Sequence, residues 1–264
     1  MMDDDNATDA VFMTCDGAIA MIHLNHPAKR NAITFAMWRR LLALVGVADR
    51  DASVKVIVIA GEGGAFAAGS DIEEFGRVSE DPVAARDAAE IIHQSERELH
   101  RAAKPTLAKI TGVCIGAGCG VALCCDFRFA DTSARFGITP ARLGLIYSLA
   151  DTKRLVDVVG AAKARDMLLT GRLMDGEEAL AIGLIDRLLD PPRLDGAVKE
   201  YAALLAEASP FSVRAMKRQI QAVLDGATDE TPETRAAFAG AISGPNFKVG
   251  HAAFTAKRKP VFPV

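Results

Sequence analysis

The stretch KPTLAKITGVCIGAGCGVALCCDFRFAD, Lys104 to Asp131, decides how this chain folds. Pro105 to Gly112 is a short apolar run of the kind a parallel sheet buries on both faces, and it runs directly into glycines. The spacing predicts a helix from about Gly116 to Cys125, opened by a turn of small residues that leaves backbone N–H groups unobstructed. Those N–H groups carry the positive end of the helix dipole. A second strand of this type, VKVIVIAG (Val54 to Gly61), feeds the small-residue loop EGGAFAAGSD. Two N–H groups facing one oxygen form an oxyanion hole, where removing a donor costs about 2.7 to 4 kcal/mol of transition-state stabilisation. The rival reading is a dinucleotide fingerprint. Gly116, Gly118 and Gly120 fall at every second position, however, and Val121 stands where GxGxxG needs its third glycine.

Outward from this segment, VFMTC and AIAMIHL read as a β-hairpin turning at Asp16-Gly17, and Thr34 to Ala48 reads as an amphipathic helix. Pro82 to Ala103 is a helix opened by proline. After Leu189 only helical patterning is visible, over about 194–208, 211–224, 231–242 and 250–257. The expected organisation is a disordered tail at 1–9, an α/β core at 10–190 and a helical region at 191–264, with the boundary near Pro191-Pro192.

Composition narrows the function classes. With 264 residues, half of them hydrophobic, the chain can bury a full core. A net charge of −3 with interspersed signs suits neither a nucleic-acid face nor a membrane-surface patch. No run of about 18 apolar residues occurs and the start MMDDDNATDA is acidic, so a cytoplasmic, soluble protein is expected. Cys15, Cys114, Cys119, Cys124 and Cys125 are an odd set without ligand spacing, expected to be reduced core thiols and not a metal site.

Four ordered segments resemble the crotonase superfamily, the enoyl-CoA hydratase/isomerase proteins. They are LNHPAKRNAI (Leu24 to Ile33), FAAGSDI (Phe66 to Ile72), the Lys104 to Asp131 stretch, and FTAKRKPVF (Phe254 to Phe262). The resemblance implies an α/β fold with a ββα spiral core, a helical C-terminal trimerisation region, and self-association as a trimer or dimer of trimers. It implies an acyl-CoA thioester as ligand, with coenzyme A as part of the substrate and no other cofactor. The thioester oxygen is then expected between the N–H groups of Ser70 and Ala117, with Ala68, Asp71, Ile72 and Gly116 around it. Lys29 and Arg30 are expected beside the nucleotide of CoA, and Lys257 and Lys259 near its phosphates from a neighbouring subunit.

The resemblance also exposes a gap. Aligned with the family pattern, the two glutamates that activate water and move the proton in hydratases fall at Gly120 and Pro140, neither of which can exchange a proton. General acid–base help of that kind is worth about 10² to 10⁴ in rate. The segment ITPARLGLIYSLADT most resembles the methylmalonyl-CoA and ethylmalonyl-CoA decarboxylase branch, where a tyrosine at the position of Tyr147 holds the substrate carboxylate. Asp151 is a second candidate acid, and it is also a candidate helix N-cap. Asp71 is expected to order its loop. His93, His100, Arg142, Glu73 and Glu74 are weaker candidates, each equally readable as a surface group. Three functions follow: an enolate-forming enzyme with non-standard catalytic residues, a malonyl-type decarboxylase using Tyr147, and an acyl-CoA-binding protein without turnover.

Overall fold

The computed structural model describes residues 9–262. A six-stranded sheet runs in the order β1 (Val11–Asp16), β2 (Ile19–Leu24), β3 (Val56–Gly61), β4 (Thr106–Ile110), β6 (Phe127–Asp131), β9 (Arg187–Leu189). β1 pairs antiparallel with β2 through the Asp16–Gly17 turn, and every other pair is parallel. The residues of β3 from Val56 to Ala60 are all buried, as a central parallel strand covered on both faces must be. A smaller sheet orders β5 (Val113–Ile115), β7 (Arg135–Gly137) and β8 (Leu173–Asp175).

Helix α1 (Phe35–Arg50) is capped by the Thr34 hydroxyl, which accepts from the Met37 amide, and buries Trp38, Leu41 and Val45 against the first sheet face. It then packs on α3 (Pro82–His100), a longer helix that follows the short α2 (Ile72–Val78). α4 (Ala117–Cys124) is buried at every residue after the first, so it forms the floor of the molecule's centre. α5 (Leu149–Thr170) crosses it and breaks at Gly160, and the short α6 (Gly176–Ala181) leads into β9.

From Pro191 onward the chain is helical: α7 (Pro191–Glu207), α8 (Pro210–Leu224), α9 (Pro232–Ser243) and α10 (Pro245–Thr255). α7 covers the other sheet face through Leu194, Val198 and Ala202, which meet Val56, Val58, Leu107 and Phe129. Each of the four helices begins at a proline, earlier than periodicity predicts for α7 and α10. An N-terminal turn built on proline carries no apolar stripe, so the pattern becomes visible only afterwards. Pro191 and Pro192 thus lie in the first turn of α7 and not between elements.

One expectation needs correcting here. Residues 1–8 of the expected tail lie outside the described residues, and the Asp9 carbonyl accepts from the Asn25 side-chain amide at 2.9 Å. Cys15 is exposed because the end of the edge strand β1, from Thr14 to Asp16, is left uncovered, while the other four cysteines are buried thiols.

Candidate active site

Two loops are drawn together by one buried side chain. Asn31, fully buried, donates to the carbonyls of Glu62 and Ala65 and accepts from the His26 amide. This ties the 26–33 turn to the loop after β3. That loop in turn zips onto β5, with Ala67 N–H donating to the Val113 carbonyl at 3.0 Å and Ile115 N–H to the Ala67 carbonyl at 2.9 Å. Gly69 therefore lies against the start of α4. A methyl group there would stand 3.3 Å from the Ile115 carbonyl oxygen and 4.0 Å from the Ala117 nitrogen. Gly69 at φ 113 and Gly116 at φ 54 both adopt conformations that side chains disfavour. Two glycines thus bring Ser70 and Ala117, both half-buried, to adjacent positions. Among the described residues, neither of their N–H groups donates in the backbone bonds that fix these loops.

Other expected ligand-binding residues are placed as follows. Asp71 is buried and caps α2, accepting from the amides of Glu73 and Glu74, and it also receives Lys29 Nζ at 2.8 Å. Lys29 additionally pairs with Glu73, so its ammonium is held by two carboxylates. Ala68 N–H donates to the Arg30 carbonyl, Arg30 is exposed with φ 52, and Ile72 is half-exposed. Glu74 turns away from the cleft to accept from the Phe35 amide at 2.7 Å. Lys257 is exposed at φ 50, and Lys259 pairs with Glu207 at 3.2 Å on the surface. Arg142 is exposed and lies over Gly171, and His93 faces outward from α3.

Gly120, one helical turn inside α4 from Ala117, marks the place where the structure departs most from expectation. A methyl group on Gly120 would meet Glu96 Oε1 at 2.7 Å, the Tyr147 hydroxyl at 3.4 Å and Asp151 Oδ1 at 3.6 Å. Glu96 comes from α3 and was not among the sequence candidates. It is only 3% exposed. Its signal was present: Ala88, Ser95, Glu96 and Leu99 are the buried positions of α3, and a glutamate in an inward helical stripe requires a partner.

That partner is Arg154 of α5, which donates to Glu96 Oε2 at 3.0 Å and to Asp151 Oδ1 at 2.5 Å. Asp151 also accepts from the Ser148 hydroxyl at 2.6 Å. The α5 N-cap is Ser148 and not Asp151, since the Ser148 side chain accepts from the Asp151 amide. The helix starts two residues before Asp151, which places that side chain in the first turn and aims it inward. One guanidinium thus serves two buried carboxyl groups. Burial, followed by the neighbouring Asp151, pushes the Glu96 carboxyl well above its ordinary range. Burial opposes the charge on Arg154, but Cys124, Asp151 and Glu96 outweigh it and raise its pKa. The Tyr147 hydroxyl is pushed upward by burial and then by Asp151. Among the described residues, the Tyr147 hydroxyl and Arg154 Nε are buried without a hydrogen-bond partner.

The network makes Arg154 a stability determinant. Arg154→Met is expected to cost about 3 to 5 kcal/mol, because it leaves Glu96 and Asp151 buried without a cation. In that variant the folded state still holds a proton on Glu96 at pH values where the unfolded chain has released it. Stability therefore falls as pH rises, and urea unfolding should show a larger deficit near about pH 8 than near about pH 5. An equal deficit at both values would contradict the charge assignment.

With the geometry in place, comparison with known proteins decides the family. The profile described as Enoyl-CoA hydratase/isomerase matches residues 14–263. The chain belongs to the enoyl-CoA hydratase/isomerase family. It is 35% identical over 259 residues to the probable enoyl-CoA hydratase of Rhizobium meliloti, covering 96% of this chain and 98% of that one. An enoyl-CoA hydratase/carnithine racemase from Magnetospirillum magneticum superposes with a TM-score of 0.92 at 32% identity, over 97% of this chain and 96% of that one. A short-chain-enoyl-CoA hydratase of Clostridium acetobutylicum is 29% identical over 94% of this chain and 95% of its own length. The mixed α/β architecture is that of the crotonase fold. Among the described residues no helix is long and apolar enough to cross a membrane, and no group of three or more His, Cys, Asp or Glu side chains is placed to hold a metal ion.

Proposed function

We propose that this family member binds an acyl-CoA thioester and stabilises its enolate between the N–H groups of Ser70 and Ala117. The approach of Gly69 to the Ala117 nitrogen carries this reading, since it sets two uncommitted backbone donors side by side at a helix N-terminus. Donors fixed by the fold need not reorganise as charge develops on the thioester oxygen. Coenzyme A enters as part of the substrate, and the proposed chemistry calls for no other cofactor. Gly120 and Pro140 set the enzyme apart from a two-glutamate hydratase. Phe238, Ile242, Phe247 and Phe254 are exposed on α9 and α10, which supports self-association through the C-terminal helices as a trimer or dimer of trimers.

A second reading, decarboxylation of a methylmalonyl- or ethylmalonyl-type thioester, is favoured by the buried, unpartnered hydroxyl of Tyr147 beside Gly120. Loss of CO₂ itself generates the enolate, so no base has to remove a C–H proton first. Purified protein given crotonyl-CoA, methylmalonyl-CoA and ethylmalonyl-CoA, each followed by chromatography, tests both readings. Slow or absent crotonyl-CoA hydration is expected. Rapid hydration would overturn the departure from standard hydratases. If a malonyl-type ester is consumed, Tyr147→Phe should lower turnover by about tenfold or more through loss of one charge-assisted hydrogen bond. An unchanged rate would remove Tyr147 from the site.

A further inference from the structure

Glu96 reaches the centre of the molecule from a helix that contributes nothing to the oxyanion loops. Its carboxyl lies where a side chain on Gly120 would begin, and residue 120 follows Ala117 by three residues, about 4.5 Å along the axis of α4. A thioester oxygen held at the Ala117 N–H would therefore lie about one helical turn from the Glu96 carboxyl. We propose that Glu96 exchanges a proton with the α-carbon of the thioester enolate, its carboxyl taking the place left by the absent side chain at Gly120, with Asp151 and Arg154 as positioning residues. This assignment rests on the enolate reading above.

In the protonating direction the Glu96 O–H bond breaks and the proton forms a new bond to the α-carbon. The enolate carbon–carbon π electrons supply that bond, and the electron pair on the thioester oxygen restores the carbonyl. Glu96 is left as a carboxylate beside Arg154, which donates to it at 3.0 Å. In the reverse direction the carboxylate removes the α-proton and the charge moves onto the oxygen. Because burial favours the protonated form at rest, the site is set first to deliver a proton, as an enolate made by CO₂ loss requires.

A structural role alone accounts for less. Buried ion networks contribute little net stability compared with apolar packing, and this one keeps an unpartnered tyrosine hydroxyl beside it. The groups facing Glu96 are Asp151 and Arg154 from α5, Tyr147 from the segment before it, and Cys124 from α4, with His100 one turn further along α3 facing Arg154. Burial, then Arg154 and Lys217, pulls the His100 imidazole down to about 4. Burial pushes the Tyr147 hydroxyl and the Cys124 thiol upward. His100, Tyr147 and Cys124 are thereby displaced from the pH range just above the ordinary carboxylate value.

The test follows α-proton exchange of butyryl-CoA in D₂O by NMR, with butyryl-CoA affinity measured by calorimetry. Glu96→Gln should slow exchange by about 10²- to 10⁴-fold, while the dissociation constant stays within about threefold. Glu96→Asp should recover part of the rate. Exchange by Glu96→Gln at the wild-type rate overturns the role of Glu96 and leaves the enolate reading intact. A wild-type protein that binds butyryl-CoA without exchanging its α-protons overturns the role of Glu96 and, with it, an enolate formed by proton removal, and leaves only an enolate made by CO₂ loss. Should Glu96→Gln fail to fold, the wild-type pH profile decides. Exchange must rise with pH to a plateau as one group ionises above the ordinary glutamate range, and a flat profile overturns the assignment.

Discussion

Gly120→Glu is expected to inactivate the protein, although it supplies the residue type that the resemblance to hydratases leads one to expect there. Residue 120 sits within α4, so a side chain is conformationally allowed; the obstacle is what surrounds it. The new Cβ would lie 2.7 Å from Glu96 Oε1, closer than packed atoms tolerate, and Glu96 can yield only by leaving Arg154. The substitution also puts a third carboxyl group around a single guanidinium. Overpacking costs about 1 to 3 kcal/mol, and an unpaired buried carboxylate adds to it or is neutralised by a raised pKa. We expect the variant to lose about 3 kcal/mol in urea unfolding and at least about 10²-fold in α-proton exchange. Adding Glu96→Ala should reverse much of both losses, because it clears the space and returns the carboxyl count to two. A single variant as stable and active as wild type would show that Glu96 does not occupy the place of the missing side chain.

Ala117→Pro is expected to separate the proposed oxyanion site from the fold. Ala117 is the first residue of α4, where proline is well tolerated because that N–H has no intrahelical acceptor. Gly116, at ψ −115, is outside the helical region that a following proline disfavours. The substitution removes one candidate donor and places a ring carbon where its hydrogen pointed. Turnover should fall by about 10²- to 10³-fold, with thermal unfolding shifted by no more than a few degrees, roughly what 1 kcal/mol produces. Exchange or turnover within about threefold of wild type would exclude Ala117 as a donor to the developing oxyanion.

The two predictions concern features that differed in how far they could be read in advance. The glycine turns were legible because their physics is local. A strand ending in glycines and opening a helix has few conformations available, so the helix onset near Gly116 is readable from its own neighbours in sequence. The central strands were legible for a similar reason, since β3 and β4 are apolar runs too short for helices. Helix onsets at Pro191 and Pro245 were not, because a first turn shows no periodicity. The assignment of Asp151 as a cap failed by one helical turn for the same cause: Ser148 starts α5 in a stretch where both residues can cap.

Glu96 shows the limit most clearly. Along the chain it is one of three glutamates on a charged helix, Glu90, Glu96 and Glu98, set apart only by sharing a helical stripe with Ala88 and Leu99. Its role depends on Gly120, twenty-four residues later, being too small to fill the space, and on Arg154, fifty-eight residues later, supplying a cation. The sequence by itself determined the family, the hairpin and central strands with their first helices, the small-residue loops and the absence of glutamates at positions 120 and 140. Only the tertiary structure decided that the vacated space is filled by a carboxyl group from another helix. Backbone conformation follows from a few consecutive residues, whereas the burial and pairing of a charge depend on every element that packs around it.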